Sequence, residues 1–433
     1  MESTLFPTHD YLYPSTLIQQ QQTALYSFMQ SMAMLFPNSL TPMKMLSPSP
    51  YSTITPLAFS QGLFGLDRKE ITSTHIQSNL MTKPLAVPEN SLVTKSPSVD
   101  YLRPLGVIDK YLLFSELGKD HLYPVYIASS IFDSPSSDGS NLVVLKAIPV
   151  ADFRNSFQNE SNVFQLKYHK NLLNCIEIIK NVRFYFSTAP KISTTSKKPT
   201  TGDEFYNLLI LKYHANGDFL EILRKHRFNE RITRYYFGQL LDAVEYMHLQ
   251  GYCHRDIKLE NILFDQNFDL ILSDFGHSVK YCDKKGEKIF KESSSMTTPG
   301  ICPPEFHQGK GYKGTQMDIF AVGKLLLIFM TGLNPFKSTK ESDQNYSMII
   351  KGQWPAYWKL TSGWMKKRWI KADNFSNEFK ALVEMMLNPD PKKRISTVQL
   401  VRESPWFKNV KPASTEEVQM EIIRMKTQQL DGK

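Results

Sequence analysis

The sequence predicts an α+β chain of two lobes, an N-terminal β-sheet lobe with one long helix followed by a mainly helical C-terminal lobe. Three observations predict it. Apolar or alternating runs at 111–115, 123–129, 142–148, 173–187 and 205–213 are strand candidates, and one helical stretch, about 153–168, lies among them. From about residue 218 onward the apolar residues recur at helical spacing. Residues 1 to about 105 show neither period.

Taken in order, residues 1–105 are rich in Ser, Thr, Pro, Gln and Met. Such a composition buries too little apolar surface to offset the entropy of ordering a chain, so a disordered extension is expected. It holds Ser/Thr-Pro steps at Thr41, Ser47, Ser49, Thr55 and Ser96, which suit phosphorylation but also follow from a disordered composition. A folded domain is expected over 106–408, with an N-lobe at 106–213 and a C-lobe at 214–408. The segments 132–141 and 188–204, rich in Ser, Thr, Lys, Gly and Pro, read as surface insertions. In the C-lobe, Arg231 to Leu249 places Tyr236, Leu240, Leu241, Val244 and Met247 on or near one helical face. The tail, 409–433, carries Ser414-x-x-Glu417, a spacing at which the two side chains cap each other's backbone N–H groups. Val418, Ile422, Met425 and Leu430 then define a short amphipathic helix, expected to pack on the domain ahead of the alternatives of binding a partner or only ending the chain.

A chain of 433 residues can bury a sizeable core without covalent staples. Its four cysteines, Cys175, Cys253, Cys282 and Cys302, form no CxxC pair, so neither a zinc site nor a disulfide framework is suggested. That usage suits a reducing compartment, and a cytoplasmic or nuclear location is expected. The N-terminus, MESTLFPTHD, lacks a basic region followed by an apolar run, so no signal peptide is expected. The most apolar stretch, Ile319 to Met330, is interrupted by Lys324 and is shorter than a bilayer span, so no membrane partner is expected. The net charge is +9, and residues 1–100 hold a slight acidic excess, so the basic balance lies in the rest of the chain. A basic surface attracts nucleic acid, but here the lysines are dispersed and no nucleic-acid-binding motif stands out. An ordinary solvated lysine-rich surface is the reading, with no nucleic-acid partner.

The strongest chemical signal is His254-Arg255-Asp256-Ile257-Lys258-Leu259-Glu260-Asn261, followed by Asp274-Phe275-Gly276. A lone Asp is commonly a cap, and a lone Asp-Phe-Gly is a common loop tripeptide. Two carboxylates, a carboxamide and a lysine in this order are neither. Asp and Asn oxygens are hard donors of the kind Mg²⁺ takes together with phosphate oxygens. Lys146 places a charge within the apolar run Val143-Val144-Leu145-Lys146-Ala147-Ile148. A buried lysine there needs a partner, because an unpaired buried charge is very costly.

In these residues the chain resembles the protein-kinase family, of serine/threonine type. The resemblance covers about residues 111–408. It implies a two-lobed protein-kinase-like fold, ATP and Mg²⁺ as cofactors, and transfer of the γ-phosphate to Ser/Thr hydroxyls of protein substrates. The implied catalytic residues are Asp256, which receives or orients the proton of the attacking hydroxyl, Lys258, which reaches the transferring phosphate, and Lys146 with its helical partner Glu160. His169 and Asn171 follow Glu160 as in the family pattern. Asn261 and Asp274 are the implied metal ligands. The nucleotide is implied to meet Leu117, Gly118, Val125, Lys146, Leu211, His214, Asp218, Asn261 and Asp274. In that set Leu211 is the gatekeeper, His214 offers hinge backbone groups and Asp218 meets the ribose, while Lys212 departs from the acidic residue usual in the hinge. The segment Thr297-Thr298-Pro299-Gly300-Ile301-Cys302-Pro303-Pro304-Glu305 resembles the family segment ending in Ala-Pro-Glu. There Thr298 is implied to contact Asp256 and Lys258, Glu305 to pair with Arg394, and Asp318 to anchor the catalytic-loop backbone. Trp406-Phe407 matches the close of the domain. The wording Lys258-Leu259-Glu260-Asn261 looks somewhat like the calmodulin-dependent and related group, although no calcium-binding loop is present.

The resemblance fails at the glycine-rich loop, GxGxxGxV in the family, which reads Gly118-Lys119-Asp120-His121-Leu122-Tyr123-Pro124-Val125 here. Glycines at those places let backbone N–H groups approach phosphates. Asp120 brings a like charge, and two such charges about 4 Å apart repel by ~4 kcal/mol at an effective dielectric of 20. A flexible loop swings away from such repulsion, so weakened ATP affinity is the expectation. Arg255 is implied to pair with a phosphate on the segment 277–297, at Ser294, added by an upstream activating kinase; an unmodified flexible run at Ser293-Ser294-Ser295 is the equal alternative. Asp218 and Glu260 resemble positions that favour arginine upstream of the target serine, whereas Ile328 replaces a third such acid. The competing reading of the lost glycines is a catalytically weak pseudokinase acting as a scaffold. The oligomeric state is left open.

Overall fold

The computed structural model describes residues 104–117, 123–132, 141–152, 154–186, 205–283, 286–291, 300–309, 311–369 and 375–431. Almost all of the expected N-terminal extension lies outside the described residues. So do most of the two insertions, Gly118, Asp120, Ser294 and Thr298.

Six strands build the first lobe: β1 (Gly106–Ile108), β2 (Tyr111–Glu116), β3 (Val125–Ser130), β4 (Val143–Pro149), β5 (Cys175–Phe186) and β6 (Phe205–Lys212). Their order is β1-β2-β3-β4-β6-β5, every pair is antiparallel, and β5 returns to β1, so the sheet closes on itself. Alternation along each strand divides its side chains between two cores. Leu145 and Ala147 of β4 fill the barrel with Ile108, Leu113, Tyr126, Ala128, Leu208 and Ile210. Their neighbours Val144 and Ile148 turn the other way and join the core of the second lobe, as do Leu209 and Leu211 of β6.

The helix of this lobe, α1 (Ser156–Phe164), has nine residues rather than the full 153–168 stretch. Asp152 ends the preceding turn by accepting from Ser156 N at 2.7 Å, and beyond Phe164 the side chains of Gln165, Lys167 and Tyr168 face solvent. Leu166 alone packs on the core there, too little apolar surface to carry further turns.

The second lobe is mainly helical. Its helices are α2 (Phe219–Leu223), α3 (Glu230–Leu249), α4 (Pro304–His307), α5 (Gly314–Thr331), α6 (Gln344–Ile350), α7 (Trp354–Arg368), α8 (Asn377–Met386), α9 (Val398–Arg402), α10 (Pro405–Lys408) and α11 (Thr415–Asp431). Short strands β7 (Tyr252–Cys253), β8 (Ile262–Phe264), β9 (Leu270–Leu272) and β10 (Val279–Lys280) lie between α3 and α4. Helix α3 begins where Asn229 accepts from Ile232 N at 3.0 Å, and it buries Tyr236, Leu240, Leu241, Val244 and Met247 as its spacing predicts. Helix α5 extends beyond the Ile319–Met330 stretch to 18 residues. It is long and apolar enough to cross a membrane, and 89% of it is buried inside this lobe as a core helix. Gly323 permits its crossing with α8, since a Cβ there would lie 2.7 Å from that of Met386.

The tail forms α11, and the capping pair is reciprocal: Ser414 N donates to Glu417 Oε2 at 2.7 Å and Glu417 N to Ser414 Oγ at 3.3 Å. Val418, Ile422 and Met425 are buried in the core of the helical lobe. Arg231 grips Glu417 with two bonds of 2.8 and 2.7 Å.

Candidate active site

The loop between β7 and β8 carries Asp256, and its backbone is fixed from below. Asp318 on α5 accepts from His254 N at 2.8 Å and from Arg255 N at 2.7 Å, while His248 of α3 holds the same carboxylate at 2.9 Å. Arg255 takes a left-handed backbone conformation, φ 66°, uncommon for a side-chain-bearing residue. The His254 ring is fully buried; its Nδ1 accepts from Asp256 N at 3.2 Å, leaving Nε2 to donate to Ser273 O at 3.1 Å. These contacts set the direction of Asp256. Its Oδ2 lies 2.9 Å from Lys258 Nζ and accepts from Asn261 Nδ2 at 3.0 Å; the same amide donates to Asp256 O at 2.8 Å. Burial opposes the charge on Lys258, and Asp256 outweighs it and raises the lysine pKa.

Across from this loop lies Asp274, also left-handed at φ 60°. Its Oδ1 accepts from Lys146 Nζ at 2.7 Å, and Glu160 Oε1 of α1 accepts from the same ammonium at 2.5 Å. The register explains the meeting: Lys146 pairs with Val125 and Leu209 and shares their face of the sheet, toward the second lobe. Burial works against each charge of this trio. For Lys146 the Asp274 and Glu160 carboxylates overcome it and raise the pKa. For Asp274 the lysine overcomes burial and holds the carboxyl well below the usual range. Glu160 is the most enclosed; burial dominates there and pushes it up to about 7. Phe275 is fully buried between Phe164 of α1, at 5.4 Å, and His254, at 5.5 Å. Gly276 permits the close approach of α1: a Cβ would lie 3.3 Å from Glu160 Oε1 and 3.4 Å from Asp274 Oδ1.

Other expected site residues are placed around this cluster. Val125 is buried beside Lys146, Leu117 N donates to Val125 O at 2.7 Å, and Leu211 is buried opposite Val144. His214 follows the end of β6; burial lowers its pKa to about 4, so the ring is neutral near pH 7. Asp218 is the N-cap of α2, accepting from Glu221 N at 2.8 Å, and burial raises its carboxyl pKa. Glu305 and Arg394 form a buried two-pronged pair at 2.6 and 2.8 Å. The Arg255 guanidinium donates to His277 O at 2.8 Å and to Tyr312 OH at 3.1 Å.

The protein kinase domain family matches residues 128–407, a span that holds Lys146, Glu160, Asp256, Lys258, Asn261 and Asp274. The chain belongs to that family. As a protein kinase it is similar to CBL-interacting protein kinase 26 of Oryza sativa subsp. japonica, 26% identical over 303 residues that make up 70% of this chain and 53% of the relative. CBL-interacting protein kinase 10 of the same plant is 32% identical over 201 residues, 46% of this chain and 40% of the relative. Maternal embryonic leucine zipper kinase of Danio rerio is 33% identical over 200 residues, 46% and 26% of the two chains. The chain thus spans about half the length, or less, of these relatives.

Several residues of this kinase that bear on the site were not expected from sequence. Asn159 of α1 donates to Gly276 O at 2.9 Å. Tyr123, at the place of the third glycine, donates its hydroxyl to Asp152. Lys324, buried within α5, donates to Gly300 O at 2.7 Å and lies over the Phe336 ring. A lysine inside an apolar helical run was the one available signal of the last; the other two depend on contacts between segments far apart in sequence.

Proposed function

We propose that the chain is an ATP-dependent serine/threonine protein kinase. The observation that carries this reading is the juxtaposition of two clusters. Asp256, Lys258 and Asn261 are one; Asp274, Lys146 and Glu160 are the other. Phosphoryl transfer asks a protein mainly to hold the γ-phosphate in line with a hydroxyl and to offset its charge. In this reading Asp256 orients the attacking hydroxyl and receives its proton. The oxygen of that hydroxyl bonds to the γ-phosphorus as the bond to the β-phosphate oxygen breaks, and ADP leaves with the electron pair. Lys258, 2.9 Å from Asp256, offsets charge on the phosphoryl oxygens. Lys146 reaches the non-transferred phosphates while Glu160 keeps it in place.

The donor set fits a magnesium ion. Asn261 spends its amide nitrogen on Asp256, which frees its oxygen, and Asp274 is held ionised with Lys146 on one oxygen only. Two hard oxygens completed by phosphate oxygens match the preference of Mg²⁺. Bound there, the ion would neutralise phosphate charge. Serine or threonine is favoured as acceptor by Lys258 and by Thr298 in the resemblance. Asp218 and Glu260 support substrates with arginine upstream of the acceptor, with Ile328 limiting that preference.

Radiolabelled ATP with a generic Ser/Thr protein substrate tests the reading. Asp256→Asn is expected to lower incorporation about a hundredfold or more, the usual worth of a positioned proton acceptor. Asp274→Asn is expected to abolish it. Equal incorporation by wild type and Asp274→Asn would sink the enzyme. The alternative of a pseudokinase scaffold is favoured by one observation, the tyrosine tied down at position 123 where the family places a glycine. It requires that incorporation be absent in the wild type as well.

A further inference from the structure

Tyr123 replaces a glycine, and its hydroxyl has a specific use. It donates to Asp152 Oδ1 and accepts from Ser156 Oγ at 3.4 Å. Asp152 in turn accepts from Ser156 N at 2.7 Å and from Arg154 N at 3.0 Å. Ser156 is the first residue of α1. Asn155, at the usual capping place, is left-handed at φ 57° and its side chain caps nothing, so Asp152 takes over that duty. Burial and the Asp152 carboxylate push the Tyr123 pKa up to about 12, so the phenol keeps its proton and donates it in one direction.

The first turn of α1 leads directly into the chemistry. Asn159 ties α1 to Gly276, and Glu160 holds Lys146. A continuous line of bonded groups therefore runs from the end of the phosphate-covering loop, through Asp152 and Ser156, to Glu160, Lys146 and Asp274. A nine-residue helix is too short to hold its place by its own hydrogen bonds. It depends on what grips its ends.

We propose that Tyr123 is a positioning residue, a strut from the phosphate-covering loop to the N-terminus of α1 that keeps Glu160 seated on Lys146 before nucleotide arrives. Glycine at this place gives a loop freedom to close on phosphates. Tyrosine trades that freedom for a fixed α1. The catalytic consequence rests on the kinase reading above; the strut itself does not.

The test uses the full chain as wild type, Tyr123→Phe, Asp152→Ala, Asp152→Asn and the double variant Tyr123→Phe/Asp152→Ala. Hydrogen exchange of the amides of residues 156–160 is read without nucleotide. Losing a hydrogen bond to a charged group is expected to speed exchange in Tyr123→Phe roughly tenfold. The double variant is expected to exchange no faster than Asp152→Ala alone, because the two act through one contact. Asp152→Asn retains an acceptor oxygen and is expected to remain nearer to wild type. In phosphotransfer, Tyr123→Phe is expected to lower kcat about fivefold while the KM for ATP moves less than about twofold, since the strut sets α1 and not the nucleotide contact. Unchanged exchange in Tyr123→Phe, or fully additive effects in the double variant, overturns the strut. A raised ATP KM at unchanged kcat overturns it too, by assigning Tyr123 to the nucleotide. If the wild type transfers no phosphate, the kinase reading fails while the exchange comparison still decides the strut.

Discussion

Replacing Lys146 by methionine removes the cation that two carboxylates share. Glu160 Oε1 and Asp274 Oδ1 are bonded to Nζ at 2.5 and 2.7 Å, so they stand no more than about 5 Å apart. At an effective dielectric of 20, two uncompensated charges at that separation repel by ~3 kcal/mol. The chain escapes this only by protonating one of them. Glu160 is the one that yields, because burial already lifts its pKa from 4.5 to about 7. An acid whose folded pKa is raised gives its full stability below the unfolded value and loses it as pH climbs through the folded value. In Lys146→Met the folded value rises further, so the loss extends above pH 7. The deficit of the variant is therefore expected to grow by about 1.4 kcal/mol from pH 6 to pH 8, the worth of one pH unit above the wild-type value near 7, or roughly 3 °C in melting temperature. Glu160→Gln keeps the Lys146–Asp274 bond and removes the titrating acid, so it is expected to cost about 1 kcal/mol or less near neutral pH. Circular dichroism melts of both variants at pH 6 and 8 check this. A Lys146→Met deficit that is the same at both pH values, or a Glu160→Gln deficit as large, refutes the reasoning.

Arg394→Ala leaves Glu305 buried and unpaired, and breaking such a pair is expected to cost ~3–5 kcal/mol in chemical denaturation. Arg394→Lys, which cannot make two parallel bonds, is expected to fall between it and wild type. His214, with a folded pKa of about 4 against 6.5, withholds stability as pH falls from 6.5 toward 4. His214→Gln is therefore expected to flatten that acid-side slope in melts taken from pH 7 to 5. Helix α11 reaches back to both sides of Asp218: Lys426 Nζ donates to Asn216 O at 2.7 Å and Gln429 Nε2 to Glu221 O at 3.1 Å. Lys426→Met is expected to weaken ATP binding a few-fold with little change in melting temperature. Deleting 414–433 uncovers the surface beneath Val418, Ile422 and Met425 and is expected to lower stability by ~5 kcal/mol.

Local chemistry made much of this protein legible from sequence. The alternation around Lys146 gave its strand, and a charge in an apolar run announced a partner. The Arg231–Leu249 spacing of α3 and the Ser414/Glu417 cap of α11 depend on residues three or four apart, so their helices were readable without neighbours. The fixed order of Asp256, Lys258, Asn261 and Asp274 carried the family resemblance. What the chain alone did not determine involves partners far away in sequence. The use of Tyr123 follows from the Asp152 carboxylate, 29 positions on. The 18-residue α5 passes for a membrane span by length and composition, and only its burial in the lobe makes it a core helix. Sequence set which groups carry charge and which carry apolar surface. Tertiary packing decided which charges became neighbours, because each buried charge must find a partner and that partner lies wherever the fold brings a second chain segment alongside.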